Sequence, residues 1–117
     1  MTISIYSTTI DCADAGKLAA FWAEVLGRSL DPEPSPFFAS IGRTAPDEQS
    51  VMMFIQVPES KTVKNRMHLD LQADDRAAEV ERVVDLGATI QSEHNEYETR
   101  WTTLADPEGN EFCIAAH

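Results

Sequence analysis

Residues 14–27, DAGKLAAFWAEVLG, have a counterpart sixty positions later in residues 74–87, DDRAAEVERVVDLG. Both segments open on Asp and end on Leu-Gly, with no insertion between. Apolar residues recur in each at the spacing of one helix face. The pattern predicts a helix over 15–26, with Asp14 as its N-cap and Gly27 just past its end, and a second helix that opens at Asp74 and closes at Gly87. The chain therefore contains an internal duplication.

Strand patterns flank both predicted helices. The predicted strands are residues 3–10, 37–42, 51–57, 66–72, 88–93, 100–105 and 110–115, with polar turns at 43–50, 94–98 and 106–109. Residues 31–36 contain three prolines, which lack backbone donors, so they predict a loop or an irregular sheet edge. Two copies are too few for a solenoid. We predict one α+β domain over residues 1–117, built from two βαβββ modules, 1–58 and 66–117, with a polar connector between them.

The predicted strand 66–72 alternates apolar and polar residues. Successive side chains of a strand point to opposite faces of the sheet. The apolar set is expected to pack beneath the helices: Met67, Leu69 and Leu71. The polar set is expected to face solvent or a ligand: His68, Asp70 and Gln72. The alternation favours a sheet that curves around a cavity.

Composition excludes several classes of function. The chain has 117 residues, is 43% hydrophobic and carries a formal net charge of -11, which disfavours binding to nucleic acid because that binding neutralises phosphates. No apolar run approaches the roughly 18 residues of a membrane span, and the first residues do not form a secretory signal. Cys12 and Cys113 form no CxxC pair, so no disulfide framework is predicted. We expect a cytoplasmic protein with no nucleic acid or membrane partner.

Three motifs together resemble the vicinal oxygen chelate superfamily, specifically its small glyoxalase-like domains. They are the helix end with Phe21-Trp22 and Leu26-Gly27, the segment KNRMHLD at 64–70, and the turn DPEGNEF at 106–112. The resemblance covers essentially the whole chain. It implies the glyoxalase/bleomycin resistance/dioxygenase fold, a curved, mostly antiparallel half-barrel of two tandem βαβββ modules, and a homodimer. The superfamily includes both metal-dependent enzymes and metal-free drug-binding proteins, so the fold does not define the reaction.

The resemblance also implies where a metal ion would bind. Metal-dependent members hold a divalent ion such as Zn, Ni, Mn or Fe with His or Glu at four strand positions, which fall here on Ser7 or Thr8, Gln56, His68 and Cys113. Only His68 matches the ligand type of the family, so the family-type site is not expected. The alternatives are His68 and Gln56 with Cys113 or Glu111, and a softer set of His68, Cys113 and Glu111, which suits zinc.

Candidate side chains of the second module have two interpretations each. His68 beside Asp70 forms either a general base with an orienting carboxylate or a histidine that only positions a ligand. Trp101 offers a stacking face to a ligand, or it belongs to the core or a dimer contact. Cys113 is a nucleophile or, as a lone strand cysteine commonly is, an inert small hydrophobe.

Other candidates lie in the first module and the connector. Phe38, Met52 and Phe54 line the cavity or fill the core. The basic cluster Lys61, Lys64 and Arg66 steers an anionic ligand, or it is a solvated connector that offsets nearby carboxylates.

These observations predict a protein that binds a small hydrophobic or cationic organic molecule, like the bleomycin-resistance members. The expected walls are Trp101, Phe38, Phe54 and Met52, the expected polar anchors are His68, Asp70, Gln56 and Glu111, and Ser7 and Cys113 are further candidate contacts. The alternative is a metal-dependent lyase, isomerase or dioxygenase that acts on a small carbonyl or catechol compound, with His68 and Asp70 as candidate catalytic residues. Lactoylglutathione lyase activity is not expected, because the resemblance implies that it needs the full metal set.

Overall fold

A computed structural model describes residues 2–116 of the chain as an α+β fold with two helices and two open sheets. The chain divides into two compact units, the first through Ser60 and the second from Lys61. Three of the five strand pairings are antiparallel and two are parallel. In the part of the chain that is described, neither helix is long and apolar enough to cross a membrane.

The first unit packs one helix on a three-stranded sheet. Its elements are β1 (Ser7–Cys12), α1 (Ala15–Leu26), β2 (Phe38–Ile41) and β3 (Val51–Gln56), with sheet order β1-β3-β2. β3 is central, parallel to β1 and antiparallel to β2. Trp22 and Leu18 of α1 and Phe54 of β3 are among the most deeply buried side chains. The helix face predicted from apolar spacing is therefore the face that fills this core.

The second unit packs one helix on a four-stranded sheet. Its elements are β4 (Leu69–Gln72), α2 (Arg76–Leu86), β5 (Thr89–Glu96), β6 (Thr99–Ala105) and β7 (Glu111–Ala115), with sheet order β4-β7-β6-β5. Val80 and Val83 are the buried residues of α2, which packs on β6 and β7. Leu104, Phe112 and Ile114 are buried with almost no exposed surface.

The predicted helix ends are confirmed at Asp14, Gly27 and Gly87, and the start of α2 is shifted by one residue. The carboxylate of Asp14 accepts from the Lys17 amide at 3.1 Å, and Gly27 adopts φ 62°, in the left-handed region that suits glycine. In α2 the N-cap is Asp75 rather than Asp74, because the Asp75 side chain accepts from the Ala78 amide at 3.1 Å. Two adjacent aspartates offered the cap, and only the hydrogen bond distinguishes them.

The two N-cap aspartates are each expected to stabilise the helix that they begin. Asp14→Ala and Asp75→Ala are each expected to lower the free energy of unfolding by about 1 kcal/mol, because each leaves a helix amide without its acceptor. Asp74→Ala is the control and is expected to change it by less than about 0.5 kcal/mol, the usual range for surface positions. Urea denaturation of the three variants measures the difference. An equal loss in Asp74→Ala would contradict the assignment of Asp75 as the cap.

The predicted starts of two strands are corrected by the pairing partners. β1 begins at Ser7 rather than residue 3, because β3 pairs with it only from Val51 onward. β4 begins at Leu69 rather than residue 66, since its pairing with β7 starts there. Met67 is consequently 86% exposed and does not pack beneath a helix.

The first module is also one strand short of the predicted βαβββ pattern. After α1 it has only β2 and β3, and Leu30 makes an isolated bridge to Ile41 where a further strand would run. The prolines at 32, 34 and 36 follow at once and cannot donate to a ladder. Residues 31–36 contain no strand, in agreement with the predicted loop or irregular edge, and the first unit is βαββ.

The hairpin between β5 and β6 is longer than predicted, and its turn is shorter. Only Tyr97 and Glu98 form the turn, with φ 53° and 60°, the left-handed conformation that a type I′ two-residue hairpin turn requires at both positions. His94, placed in a turn from the sequence, instead pairs with Trp101 inside the ladder. The polar composition of 94–98 does not distinguish a turn from an exposed hairpin end.

Candidate functional site

One face of the four-stranded sheet holds a pocket of about 410 Å³ within the second unit. Aromatic, acidic, basic and thiol side chains line it together. The lining residues are Lys64, His68, Asp70, Leu71, His94, Thr99, Trp101, Thr103, Glu111, Cys113 and Ala115. The pocket combines a flat aromatic surface with several polar groups, as ligand sites commonly do.

Strand register places these side chains in rows. Asp70 of β4 pairs with Cys113 of β7, which pairs with Thr103 of β6. The alternate residues of β6 and β7, such as Thr102 and Phe112, are buried and do not line the pocket. Alternation along β6 and β7 therefore divides a core face from a functional face.

His68 and Asp70 lie side by side at the edge of the pocket. Nδ1 of His68 is 3.2 Å from Oδ1 of Asp70, and the two side chains are 39% and 64% exposed. A carboxylate at this distance orients an imidazole and fixes which ring nitrogen carries the proton. The structure brings together the pair singled out from the sequence.

Cys113 completes a compact cluster with this pair. The thiol is reduced and only 8% exposed, and its sulfur lies 3.4 Å from Oγ1 of Thr103. One potential ligand atom each from His68, Asp70 and Cys113 lies within 4.8 Å of the others. Imidazole nitrogen, carboxylate oxygen and thiolate sulfur are donors that zinc accepts, so the cluster fits a divalent ion of borderline softness.

Glu111 is fixed by two donors from the connector. Oε2 accepts from Nζ of Lys61 at 2.9 Å, and Oε1 accepts from the backbone amide of Asn65 at 2.8 Å. Burial by itself raises the pKa of the Glu111 carboxyl, but the Asn65 amide and the Lys61 ammonium together bring that pKa below its usual 4.5. Both oxygens already accept a hydrogen bond, and the compact cluster with His68 and Cys113 contains Asp70. A ligand role for Glu111 stays a prediction.

His94 is a pocket residue that sequence reasoning missed. Its ring stacks on that of Trp101, with centroids 4.8 Å apart and planes 17° from parallel. Its Nε2 lies 2.8 Å from Oγ of Ser92. An uninterrupted hairpin register would have shown that His94 opposes Trp101, but the sequence does not contain the Asn-Gly signal that marks a two-residue turn.

The remaining predicted site residues lie in the first unit and do not line this pocket. Phe54 and Met52 are buried in its core, the half-buried Phe38 lies under the Arg43 guanidinium, Gln56 donates to the carbonyl of Ala13 at 3.0 Å, and Ser7 contacts Thr9. Their burial favours core packing for Phe54 and Met52. Ligand contacts by Phe38, Gln56 and Ser7 stay predictions.

A family model described as the glyoxalase-like domain matches residues 7–115, across both units. The chain belongs to this family. The resemblance to the vicinal oxygen chelate superfamily is thereby confirmed. No curated protein matches this glyoxalase-like domain at a significant level.

Solved structures share its fold at low sequence identity. A glyoxalase/bleomycin resistance protein/dioxygenase family enzyme from Burkholderia phytofirmans is 21% identical with a TM-score of 0.76, covering 97% of this chain and 98% of that one. The fosfomycin resistance protein FosX from Listeria monocytogenes, solved with Mn(II) and a dihydroxypropylphosphonic acid, is 16% identical with a TM-score of 0.77, covering 99% and 91%. A lactoylglutathione lyase from Agrobacterium tumefaciens is 16% identical with a TM-score of 0.67, covering 97% and 92%. Similarity at this level establishes the fold alone.

Proposed function

We propose that this glyoxalase-like domain binds a small planar organic molecule in the pocket of its second unit. The observation that carries the proposal is the His94–Trp101 stack, which presents a flat aromatic wall beside the polar row of Asp70, Cys113 and Thr103. Indole and imidazole faces attract aromatic rings and cations. A ligand with an aromatic ring and one hydrogen-bonding or cationic group can contact both the aromatic wall and the polar row of the pocket.

The charges around the pocket refine the ligand class. The ammonium group of Lys61 neutralises the carboxylate of Glu111, so this residue adds little to the net charge of the pocket. Asp70 keeps an exposed carboxylate, which supports binding of a cationic group, while Lys64 lines the same pocket. A volume of about 410 Å³ falls within the usual range of small-molecule sites.

Replacing Trp101 tests the proposal. A thermal-shift screen of planar aromatic and cationic compounds provides the probe, and isothermal titration calorimetry measures its affinity. Trp101→Leu is expected to weaken binding about fivefold, because a lost stacking contact is worth about 1 kcal/mol. Tyr97→Ala, at the exposed tip of the same hairpin, is the control and is expected to leave affinity unchanged. If no compound binds, or if Trp101→Leu binds as tightly as the native protein, the proposal is wrong.

A second candidate is a metal-dependent lyase, isomerase or dioxygenase that acts on a small carbonyl or catechol compound. The cluster of His68, Asp70 and Cys113 supports it, since the same groups supply an oriented imidazole and potential ion ligands. Turnover of such substrates by the native protein, lost in His68→Ala, would favour this candidate over a binding protein. Lactoylglutathione lyase activity stays outside the proposal, because the described cluster is not the four-position His and Glu set that the family resemblance implies.

We also propose that the chain is a single domain of two modules that forms a homodimer, as the family resemblance implies. We further propose a cytoplasmic location, which its composition favours. Sedimentation equilibrium of the purified chain measures the oligomeric state, and a monomer at every concentration would contradict the homodimer.

A further inference from the structure

We propose that His68, Asp70 and Cys113 form a three-ligand site for a divalent ion of borderline softness, with Zn²⁺ preferred over Mn²⁺ and Mg²⁺. All three ligands come from the second unit: Asp70 from β4, His68 from the residue just before β4, and Cys113 from β7. The site therefore needs nothing from Ser7 or Gln56, the first-unit positions that a ligand set spread over both modules would use.

The backbone already places the three donors close together. Asp70 and Cys113 are directly paired across the parallel β4–β7 ladder, so their side chains emerge on the same face. Their ligand atoms and that of His68 lie within 4.8 Å of one another. Zinc ligands lie about 3.3–3.8 Å apart, because zinc bonds are about 2.0–2.3 Å long in a tetrahedral arrangement. The exposed side chains of His68 and Asp70 can close this gap by rotation, without a shift of the strands.

The donor types determine which ion the site prefers. Mn²⁺ and Mg²⁺ favour oxygen ligands, whereas a thiolate with an imidazole selects zinc and similar ions. Cys113 would bind as the thiolate, with its proton passing to the buffer and no change in oxidation state. Glu111 is not part of the cluster, and each of its oxygens already accepts a hydrogen bond from Lys61 or Asn65.

The surroundings of the cluster support an ion-binding role. Oγ1 of Thr103 lies 3.4 Å from the sulfur of Cys113, so it can act as an outer partner to a sulfur ligand. Of the two lysines that approach the pocket residues, Lys64 lines the pocket and Lys61 is paired with Glu111. The adjoining pocket leaves the fourth position of a tetrahedral ion open to solvent or to a bound molecule. The ion site does not depend on binding of an organic ligand, so either proposal can fail alone.

Cobalt titration tests the site directly, because Co²⁺ substitutes for Zn²⁺ and a cobalt–thiolate bond gives a charge-transfer absorption in the near ultraviolet. The native, metal-free protein is expected to develop this absorption with one Co²⁺ per chain. Cys113→Ser is expected to abolish it. Cys12→Ser is the matched control: Cys12 is the other reduced, buried cysteine, lies in the first unit, and is expected to leave the absorption unchanged.

Competition and a second variant make the test decisive. Zn²⁺ is expected to displace Co²⁺ from the native protein, whereas the same concentration of Mn²⁺ or Mg²⁺ does not. Asp70→Asn changes a side chain that is 64% exposed. It is expected to weaken Co²⁺ binding by about tenfold or more, since the loss of even an outer partner of a metal ligand costs about that much. No absorption in the native protein, absorption retained in Cys113→Ser, unchanged affinity in Asp70→Asn, or equal competition by Mn²⁺ would each overturn the proposal.

Discussion

Phe54→Ala is expected to lower the free energy of unfolding by about 3–5 kcal/mol, the cost typical of removing a buried phenylalanine. Phe54 lies in the central strand of the first unit and has no exposed surface. Truncation leaves a cavity against α1 that the surrounding strands cannot fill, because β3 is held by ladders on both sides. Urea denaturation, with the midpoint and slope fitted separately, measures the change.

Two other phenylalanines of the same unit provide the controls. Phe37→Ala is expected to change stability by less than about 0.5 kcal/mol, since that side chain is mostly exposed. Phe38→Ala is expected to fall between the two, because the half-buried ring loses partial burial and its contact with the Arg43 guanidinium. A small effect of Phe54→Ala, similar to that of Phe37→Ala, would contradict core packing and return Phe54 to the candidate cavity wall.

Glu111→Gln is expected to destabilise the protein by about 2 kcal/mol at neutral pH. The change removes the charge that accepts from Lys61 and Asn65, and hydrogen bonds to a charged group are each worth about 1.5–3 kcal/mol. The amide of the variant keeps the size of the side chain and one acceptor oxygen, so part of the contact survives. Glu81→Gln, on the exposed surface of α2, is the control and is expected to have little effect.

The lowered pKa of Glu111 predicts how the effect of Glu111→Gln on the free energy of unfolding depends on pH. The pKa of Glu111 in the folded protein lies below 4.5, so the folded state favours the charged form more than the unfolded state does. The stability that this carboxylate supplies is therefore complete well above pH 4.5 and is lost as the pH falls through its lowered folded pKa. The difference between native protein and Glu111→Gln should shrink across that range. A constant difference at all pH values would show that the charge of Glu111 is not what stabilises the connector.

Local sequence predicts local structure well in this chain. The bounds of α1 follow from an Asp acceptor at one end and a Gly in the left-handed conformation at the other, both readable from neighbouring residues. The turn at 106–109 follows similarly, since the Asp106 carboxylate accepts from the amides of Glu108 and Asn110. In each case the hydrogen bond that ends the element joins residues within four positions of each other.

The ends of the strands and the set of residues that form the site are harder to predict from the sequence. The first residues have the composition of a strand, yet residues 3–5 pair with nothing described, because β3 begins opposite Ser7. The polar sequence predicts a turn at His94, because it does not reveal where the hairpin closes. The strand pattern places Asp70 beside His68, but its pairing with Cys113 across β4 and β7 depends on the order of the sheet.

Short motifs and the spacing of residues within single segments predict the family, the α+β class, the helix on each sheet and the face that His68 and Asp70 share. Only the tertiary structure decided that Cys113 joins this pair, that His94 stacks on Trp101, and that Glu111 is held by Lys61 and Asn65. The first two contacts depend on strand order and register, and the third joins β7 to connector residues 46 and 50 positions away. All three depend on how distant segments assemble, so no local pattern encodes them.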